Sequence, residues 1–321
     1  MSIKVSIIIP VYNVEAYVGR TLESVFDTTA SADMFEVIVV NDGTKDKSMD
    51  IVRQFTSHPN LIIVEQDNQG LSAARMKGLS VAKGDYAWFI DSDDYLVGNG
   101  VSKVLELLSE KLDADVLMFP LRWINESERK ERLDYQVRED RESEGKAIVR
   151  DSGLPLWAAQ RFVFRRSLLE NEALFFPKNL LHEDEYFGPV LMYLAKTVYV
   201  LKYPVYLYRI RPGSIMSSGA SRSWYDMVSI HSFLIRFMEE EVSREDKDWF
   251  RSYCFNRLES VYRMNTRLIG TPAFDRFTRA KGFYVWRKWL EINPEKSFRN
   301  KLGRLLYYIS PGMKKRLFRK N

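Results

Sequence analysis

Short β-branched apolar runs alternate with helical patterns over the first 120 residues, and this order limits the folds open to the chain. The runs are almost entirely apolar, so each predicts a strand buried on both faces. Predicted strands cover residues 5–10, 35–40, 61–64, 85–90 and 115–120, and predicted helices, the first capped by Asn13, cover 14–26, 47–56, 71–82 and 101–112. Strands separated by helices favour right-handed crossovers, and hence an α/β fold with a mostly parallel sheet between helices.

The rest of the chain divides by composition. Residues 126–150 carry charges of both signs and predict a solvated hairpin or insertion. The apolar and aromatic stretches 156–169 and 190–208 are expected to complete a first domain, residues 1–220. Residues 221–321 predict a helical C-terminal region, since the pattern from Trp224 onward has helical spacing. Its predicted helices cover 227–241, 246–268, 274–290 and 302–309.

Polar side chains follow each of the first four predicted strands. They occupy residues 10–13, 41–44, 66–70 and 91–94. In an open parallel sheet, ligands bind in the crevice at the carboxyl ends of the strands. The sequence therefore predicts one crevice lined by all four clusters.

The most specific of these clusters is Asp91-Ser92-Asp93-Asp94, which directly follows a buried strand. Three carboxylates in four residues repel one another unless a cation or hydrogen-bond donors offset their charge. Carboxylate oxygens suit Mg²⁺ or Mn²⁺, and these ions take their other ligands from phosphates and water. The alternative is a solvated turn whose aspartates cap a helix.

Four further segments carry candidate site residues, each with a structural alternative. Asp42 either accepts a hydrogen bond from a ligand or belongs to an Asp-Gly turn. Arg75 either binds an anion or base, or lies at the surface. Glu183-Asp184 either supplies a carboxylate that takes a proton from a hydroxyl group, or starts a solvated helix. The loop 209–214, with Arg211 and Ser214, either closes over phosphates or is an exposed turn.

Five motifs in this order resemble the family 2 glycosyltransferases, which have the Rossmann-like GT-A fold. The resemblance runs from Val5 to about Ser214, and its motifs lie at residues 6–13, 40–44, 68–75, 91–94 and 183–184. One departure is Met76, where the family usually has asparagine after the arginine. That departure concerns local contacts with the donor and leaves the implied reaction class unchanged.

The resemblance implies an inverting, metal-dependent, hexosyltransferase-type enzyme that uses a nucleotide-diphosphate sugar, expected to be a UDP-sugar. The acceptor is expected to be a saccharide or lipid-linked hydroxyl in cell-surface polysaccharide biosynthesis. In this reading Asp93 binds Mn²⁺ or Mg²⁺, and Asp184 is the general base with Glu183 beside it. Donor-binding residues would be Pro10, Val11, Tyr12, Glu15, Asp42, Arg75, Asp91 and Ser92, joined by Arg211 and Ser214 from the loop.

Two other functions stay open at this point. A nucleotidyltransferase that makes activated sugars would need a glycine-rich basic loop after the first strand, where this chain has Tyr12-Asn13-Val14-Glu15. A non-catalytic nucleotide-sugar-binding protein would not need both Asp93 and Asp184. A dinucleotide oxidoreductase is disfavoured because no Gly-x-Gly-x-x-Gly follows a strand.

Charge is unevenly distributed along the chain. The formal net charge is +5, yet residues 276–321 carry 14 basic and two acidic side chains. Residues 296–321 have nine basic residues, no acidic ones and interspersed aromatics, which is typical of a segment that binds an anionic membrane surface. A helix packed on the body is the alternative, and no motif indicates nucleic-acid binding.

The expected location is the cytoplasm, with peripheral attachment to the inner face of the plasma membrane. Cys254 is the only cysteine, so a disulfide scaffold is excluded and a reducing compartment is favoured. The apolar runs are far shorter than the roughly 20 residues that cross a bilayer.

Overall fold

The computed structural model describes residues 3–110, 114–125, 130–211 and 221–264. Its strands are β1 Val5–Val11, β2 Phe35–Asp42, β3 Leu61–Gln66, β4 Tyr86–Phe89, β5 Tyr95–Leu96, β6 Val116–Met118, β7 Leu121–Asn125, β8 Lys130–Leu133, β9 Arg141–Ser143, β10 Phe162–Arg165, β11 Val198–Val200 and β12 Tyr206–Arg209. Its α-helices are α1 Val18–Phe26, α2 Ser48–Arg53, α3 Leu71–Val81, α4 Gly100–Glu110, α5 Gly145–Asp151, α6 Asp184–Leu194, α7 Ser221–Glu240 and α8 Lys247–Met264.

An eight-stranded sheet forms the core of the first of two compact units, Met1–Asn179 with Glu183–Ser218. The strand order is β3-β2-β1-β4-β10-β6-β11-β9. Strands β3, β2, β1, β4, β6 and β11 run in one direction, and β10 and β9 run against them. Every residue of β1, β2 and β4 is buried, as expected for strands covered on both faces. The predicted α/β class with a mostly parallel sheet is confirmed.

A smaller sheet, ordered β5-β12-β7-β8, lies in the same unit. In it Tyr206 of β12 pairs with Leu96 of β5 on one side and with Leu121 of β7 on the other. Because β5 directly follows the acidic segment 91–94, this sheet fixes that segment from its C-terminal side. The sequence did not predict this second sheet. Its strands are only two to five residues long, too short to show a clear periodicity.

Two sequence predictions in this unit are wrong in part. Asn13 does not cap a helix, because α1 begins at Val18 and Asn13 has a φ of 52°. Its side-chain oxygen accepts hydrogen bonds from Thr44 Oγ1 and from the Lys45 N–H instead, both at 3.2 Å. The segment 126–150 is only partly a solvated hairpin. Strand β9 within it pairs with β11, which places it in the main sheet.

The second unit comprises Leu180–His182 and the chain from Gly219. Helices α7 and α8 pack on each other through Phe237 and Phe250, whose ring centroids are 5.7 Å apart. Asp226 of α7 accepts a hydrogen bond from the Leu181 N–H at 3.0 Å. None of the helices within the described ranges is both long and apolar enough to cross a membrane. The predicted helices 274–290 and 302–309 and the basic segment 296–321 lie outside the described residues.

Candidate functional site

The four predicted polar clusters lie at one edge of the main sheet, because β3, β2, β1 and β4 are adjacent and parallel. Hydrogen bonds join three of them. The Asn13 N–H donates to Thr44 Oγ1 at 2.7 Å, and Asp42 accepts from Gln66 Nε2 and from the Gln69 N–H, both at 2.8 Å. Gly43 has a φ of 67°, so Asp42 does belong to a turn. The predicted hydrogen bond from Asp42 to the sugar donor remains a prediction.

Of the donor-binding residues predicted at and after the end of β1, two are open to solvent. Tyr12 is 44% exposed and Glu15 is exposed, while Pro10 and Val11 are buried at the end of β1. The Glu15 carboxylate accepts a hydrogen bond from the Lys47 N–H at 2.8 Å, which ties the start of α2 to this edge.

Helix α1 hydrogen-bonds to the backbone of the acidic segment 91–94. Thr21 Oγ1 lies 2.9 Å from the carbonyl oxygen of Ser92 and 2.6 Å from that of Asp94. The Asp94 N–H donates to the Asp91 carbonyl at 3.0 Å and closes the turn. Ser92 and Asp94 are buried, so the solvated-turn alternative does not describe this segment.

Asp94 is a structural member of the segment. Tyr206 Oη donates to one of its carboxylate oxygens and the Arg209 N–H to the other, both at 2.7 Å. Burial, followed by the neighbouring Asp93 and Asp91, raises the pKa of Asp94 well above its usual value. The Asp91 N–H in turn donates to Tyr206 Oη at 3.1 Å. Sequence reasoning missed Tyr206, since an apolar-aromatic strand gives no sign of a hydroxyl that points to a site 115 residues earlier.

Arg75 joins the acidic segment to the start of α6. Its Nη2 lies 2.9 Å from Asp91 Oδ1 and its Nη1 lies 2.5 Å from Glu183 Oε1. The arginine side chain is 2% exposed, so the surface alternative is wrong. Burial, partly offset by Arg75, raises the pKa of Glu183 to about 7 and also raises that of Asp91. Contact of Arg75 with a nucleotide remains a prediction.

Asp184 begins α6 beside this ion-pair network. One carboxylate oxygen accepts a hydrogen bond from the Ala158 N–H at 2.7 Å, and no second hydrogen bond to Asp184 occurs within the described part of the chain. Helix α6 packs closely against the chain at Leu156, and this contact requires glycine at position 188. A Cβ there would lie 1.7 Å from the Leu156 carbonyl oxygen. Asp184 is half-buried, which leaves its other oxygen available.

Gln160 is a second site residue that sequence reasoning missed. Its Nε2 donates to Asp91 Oδ2, so both oxygens of Asp91 have donors. Ala158, two residues before it, has a φ of 71°, a left-handed conformation that turns the chain at this point. No pattern in the sequence marks Gln160, because an isolated glutamine in an apolar stretch has no characteristic spacing.

The carboxylates fit a divalent cation. Asp91, Asp93 and Asp94 each offer an oxygen, and these atoms lie within 4.8 Å of one another. Asp93 Oδ2 accepts from Arg211 Nε at 2.7 Å, which leaves Oδ1 without a hydrogen bond among the described residues. Asp93 is therefore the carboxylate best able to bind Mg²⁺ or Mn²⁺, ions that use few protein carboxylates. Ser214, the other loop residue predicted to contact the donor, lies outside the described residues.

Comparisons with known proteins agree with the motifs. A sequence model described as glycosyl transferase family 2 matches residues 6–172, more than half of the chain. EpsH of Bacillus subtilis (strain 168) is 29% identical over 246 residues, which are 75% of this chain and 71% of EpsH. Glycosyltransferase GlyA of Streptococcus pneumoniae serotype 4 is 33% identical over 239 residues. That match covers 69% of this chain but only 32% of GlyA, so the chain spans about a third of that relative.

Solved structures show the same architecture. The crystal structure of Staphylococcus aureus TarS 1–349 in complex with UDP-GlcNAc has a TM-score of 0.73 and 23% identity, covering 93% of this chain and 92% of that one. Full-length TarS is a poly(ribitol-phosphate) beta-N-acetylglucosaminyltransferase, 25% identical over 268 residues that make up 82% of this chain and 45% of TarS. The likeness confirms the predicted GT-A fold.

Proposed function

Because the chain belongs to glycosyl transferase family 2, we propose that it transfers a sugar from a nucleotide-diphosphate donor to a hydroxyl group, with inversion at the anomeric carbon. We assign a UDP-sugar as donor and a saccharide or lipid-linked acceptor in cell-surface polysaccharide biosynthesis. Similarity to TarS, which was crystallised with UDP-GlcNAc, supports the choice of nucleotide. Family membership also favours transfer over the nucleotidyltransferase and binding-protein alternatives.

One observation carries this proposal: Arg75 bonds both Asp91 and Glu183. The arginine thereby brings the acidic segment after β4 and the start of α6 to one place, although 90 residues separate the proposed metal ligand, Asp93, from the proposed base, Asp184. Direct displacement needs an acceptor on one side of the sugar and the leaving diphosphate on the other. We propose that these two chain segments, joined by the buried Arg75 side chain, supply the two sides.

Asp184 has the properties of the general base. Its free oxygen accepts the proton of the acceptor hydroxyl as the acceptor oxygen bonds to the anomeric carbon. The bond from that carbon to the β-phosphate oxygen breaks, and the nucleoside diphosphate leaves with the electron pair. The Ala158 N–H fixes the orientation of the carboxylate during this step. A divalent cation held by Asp93 would neutralise charge on the leaving group.

Glu183 is better described as a positioning residue. It is 5% exposed and its oxygen bonds Arg75, so an acceptor cannot reach it directly. We propose that the Glu183–Arg75 pair fixes the first turn of α6 and with it the direction of Asp184. Arg211, bonded to Asp93, is available to bind a donor phosphate once a cation replaces it on that carboxylate.

The test combines donor binding with turnover. Wild-type protein is incubated with UDP-, GDP- and dTDP-sugars in the presence of Mn²⁺, Mg²⁺ or EDTA, and donor affinity and hydrolysis are measured. Asp93→Asn is expected to remove the metal-dependent part of donor affinity. Asp184→Asn should retain donor affinity but lower the turnover number by about 100- to 10,000-fold, the usual contribution of a general base.

Asp85→Asn is the matched control, since Asp85 lies exposed at the opposite end of β4. It should behave as wild type in both measurements. Wild-type turnover by the Asp184 variant would rule out the general-base assignment, and failure of the wild type to bind any nucleotide sugar would rule out the function.

The proposed location rests on the sequence of residues 296–321, which lie outside the described structure. We propose that they attach the enzyme to an anionic membrane at its cytoplasmic face. Truncation after Ser297 should then abolish sedimentation with phosphatidylserine vesicles while donor hydrolysis remains. Continued sedimentation of the truncated protein would exclude this segment as the anchor.

A further inference from the structure

Arg211 is held at the acidic segment by two different contacts. Its Nε donates to Asp93 Oδ2 at 2.7 Å, and its guanidinium carbon lies 4.9 Å from the centre of the Tyr17 ring. A guanidinium over an aromatic face is attracted by the negative charge of that face. Arg211 therefore has one partner on the carboxylate proposed to bind the metal and another on the residue directly before α1.

Tyr17 has a fixed position from which to hold Arg211. The guanidinium of Arg209, the last residue of β12, lies 5.0 Å from the Tyr17 ring and 5.0 Å from the ring of Tyr95 in β5. Arg209 is buried, and its N–H donates to Asp94. The ring of Tyr17 is thus tied to the strand that leads to Arg211.

Arg211 can exchange its carboxylate more easily than Arg75 can. The Arg75 side chain is 2% exposed and pairs with two carboxylates, whereas that of Arg211 is 21% exposed and pairs with one among the described residues. The backbone beside it is held independently, because the Ile210 N–H donates to the Ile124 carbonyl at 2.9 Å. A change of partner by Arg211 therefore needs rotation of one side chain and no movement of β12.

The charges of the acidic segment are already compensated by the protein. Asp91 pairs with the buried Arg75. Asp93 pairs with Arg211, and both oxygens of Asp94 accept hydrogen bonds. A divalent cation on Asp93 would lie beside the Arg211 guanidinium, and like charges at that distance repel each other. The cation therefore binds weakly unless the arginine moves.

We propose that Tyr17 is a positioning residue that holds Arg211 on Asp93, and that the arginine thereby competes with the divalent cation for this carboxylate. The inference rests on the proposed function, because it takes Asp93 as the metal ligand and a nucleoside diphosphate as the second ligand. The diphosphate oxygens offer Arg211 another anionic partner. The cation and the nucleotide then bind more tightly together than either binds alone, which is a coupling free energy between two ligands.

An ion pair with a purely structural role would behave in the opposite way. If Arg211 and Tyr17 only stabilised the acidic segment, removing either would loosen the carboxylates and weaken cation binding. Competition predicts that removing either contact strengthens cation binding. The sign of the change therefore separates the two roles, and unfolding of a variant cannot produce the expected gain.

The test measures the Mn²⁺ affinity of the full-length chain without nucleotide, by electron paramagnetic resonance of the free ion. Arg211→Gln is expected to raise this affinity at least about threefold, since it removes a partly exposed ion pair from Asp93. Tyr17→Leu leaves the net charge unchanged and should raise it about twofold, the lower end for a cation–π contact. Affinity for the preformed Mn²⁺–UDP complex, measured by calorimetry, should instead fall in Arg211→Gln, because the diphosphate loses its arginine.

Two control variants separate the contacts from general effects. Tyr17→Phe keeps the ring and should retain wild-type Mn²⁺ affinity, because the Tyr17 hydroxyl makes no hydrogen bond within the described part of the chain. Arg20→Gln removes the same charge from an exposed side chain that lies over Tyr95 at 4.0 Å, and solvent screening should leave Mn²⁺ affinity unchanged. Tyr17→Met replaces Tyr17→Leu if the latter no longer unfolds cooperatively in urea.

Unchanged or weaker Mn²⁺ binding by folded Arg211→Gln would overturn the competition, and so would an equal gain in Arg20→Gln. A gain in Arg211→Gln without one in the folded Tyr17 variant would overturn the positioning role of Tyr17. Failure of the proposed function looks different, because the wild-type protein would then bind neither Mn²⁺ nor the Mn²⁺–UDP complex.

Discussion

Replacing Arg75 by methionine should destabilise the protein strongly, and by an amount that depends on pH. The substitution keeps most of the side-chain volume, so packing against Phe176 is retained, although the contact of the guanidinium with that ring, at 5.2 Å, is lost. What is lost is the ion pair with Asp91 and, among the described residues, the only cation bonded to Glu183. Within that part of the chain, two carboxylates are then left without a charged partner.

The magnitude follows from how well water can replace the arginine. Asp91 has 21% of its side chain exposed and recovers part of its hydration, whereas Glu183 has 7% and recovers little. Removing one partner of a buried ion pair costs about 3 to 5 kcal/mol, and we expect that range at pH 8. Loss of the cation raises the pKa of Glu183 further, so the carboxyl is protonated and uncharged at lower pH. The cost should therefore be smaller at pH 5.5.

The assay is urea unfolding followed by tryptophan fluorescence at both pH values. Arg53→Met is the matched control, because Arg53 and Asp50 form an ion pair that is 58% and 71% exposed. Its cost should stay within about 0.5 kcal/mol. The reasoning fails if the Arg75 variant at pH 8 is no less stable than the control, or if its deficit is the same at pH 5.5.

Three further predictions concern the fold and the site. Asp134→Ala leaves the fully buried Arg161 guanidinium without its carboxylate partner. The free energy of unfolding, measured by urea titration, should fall by about 3 to 5 kcal/mol. A loss below about 1 kcal/mol would contradict the assigned pair. Gly78→Ala should lower the free energy of unfolding by about 1 to 3 kcal/mol in the same assay, because its Cβ would lie 2.3 Å from a side-chain methyl group of β1. Gly98→Ala is the control and should leave stability unchanged, because nothing lies within 4 Å of the added Cβ. The folded protein holds a proton on Glu183 up to a pKa of about 7 and the unfolded chain only to 4.5, so wild-type stability should decline as pH rises from 4.5 through 7. Glu183→Gln should show a shallower decline in urea midpoints measured across that range, and an unchanged slope would show that another group titrates.

Local features of the sequence were sufficient for the order of the elements at the core. Each of the first four strands and the helices between them appears within a few residues of its predicted bounds, because burial on both faces imposes a continuous apolar run that is readable without tertiary structure. Helix ends were less predictable. Helix α1 starts at Val18 rather than Val14, since Asn13 bonds Thr44 and Lys45 of another segment instead of the helix.

Family membership was also readable, because five motifs in a fixed order are far more specific than any one of them. The family match from residue 6 to 172 confirms that resemblance. The individual roles of Asp93 and Asp184 stay predictions until the variants are measured. Nothing in the periodicity indicated that β10 would enter the main sheet antiparallel between β4 and β6, which depends on the path of the chain.

By itself, then, the sequence determined the α/β class, the polar ends of the first strands and the family. Tertiary structure alone decided which groups meet: Arg75 with Glu183 across 108 residues, Tyr206 with Asp94 across 112, and Ala158 with Asp184 across 26. The physical reason is that strand and helix patterns record how each residue is buried. A hydrogen bond between distant residues depends on how the intervening chain folds and where it places the two groups. No local pattern encodes that path.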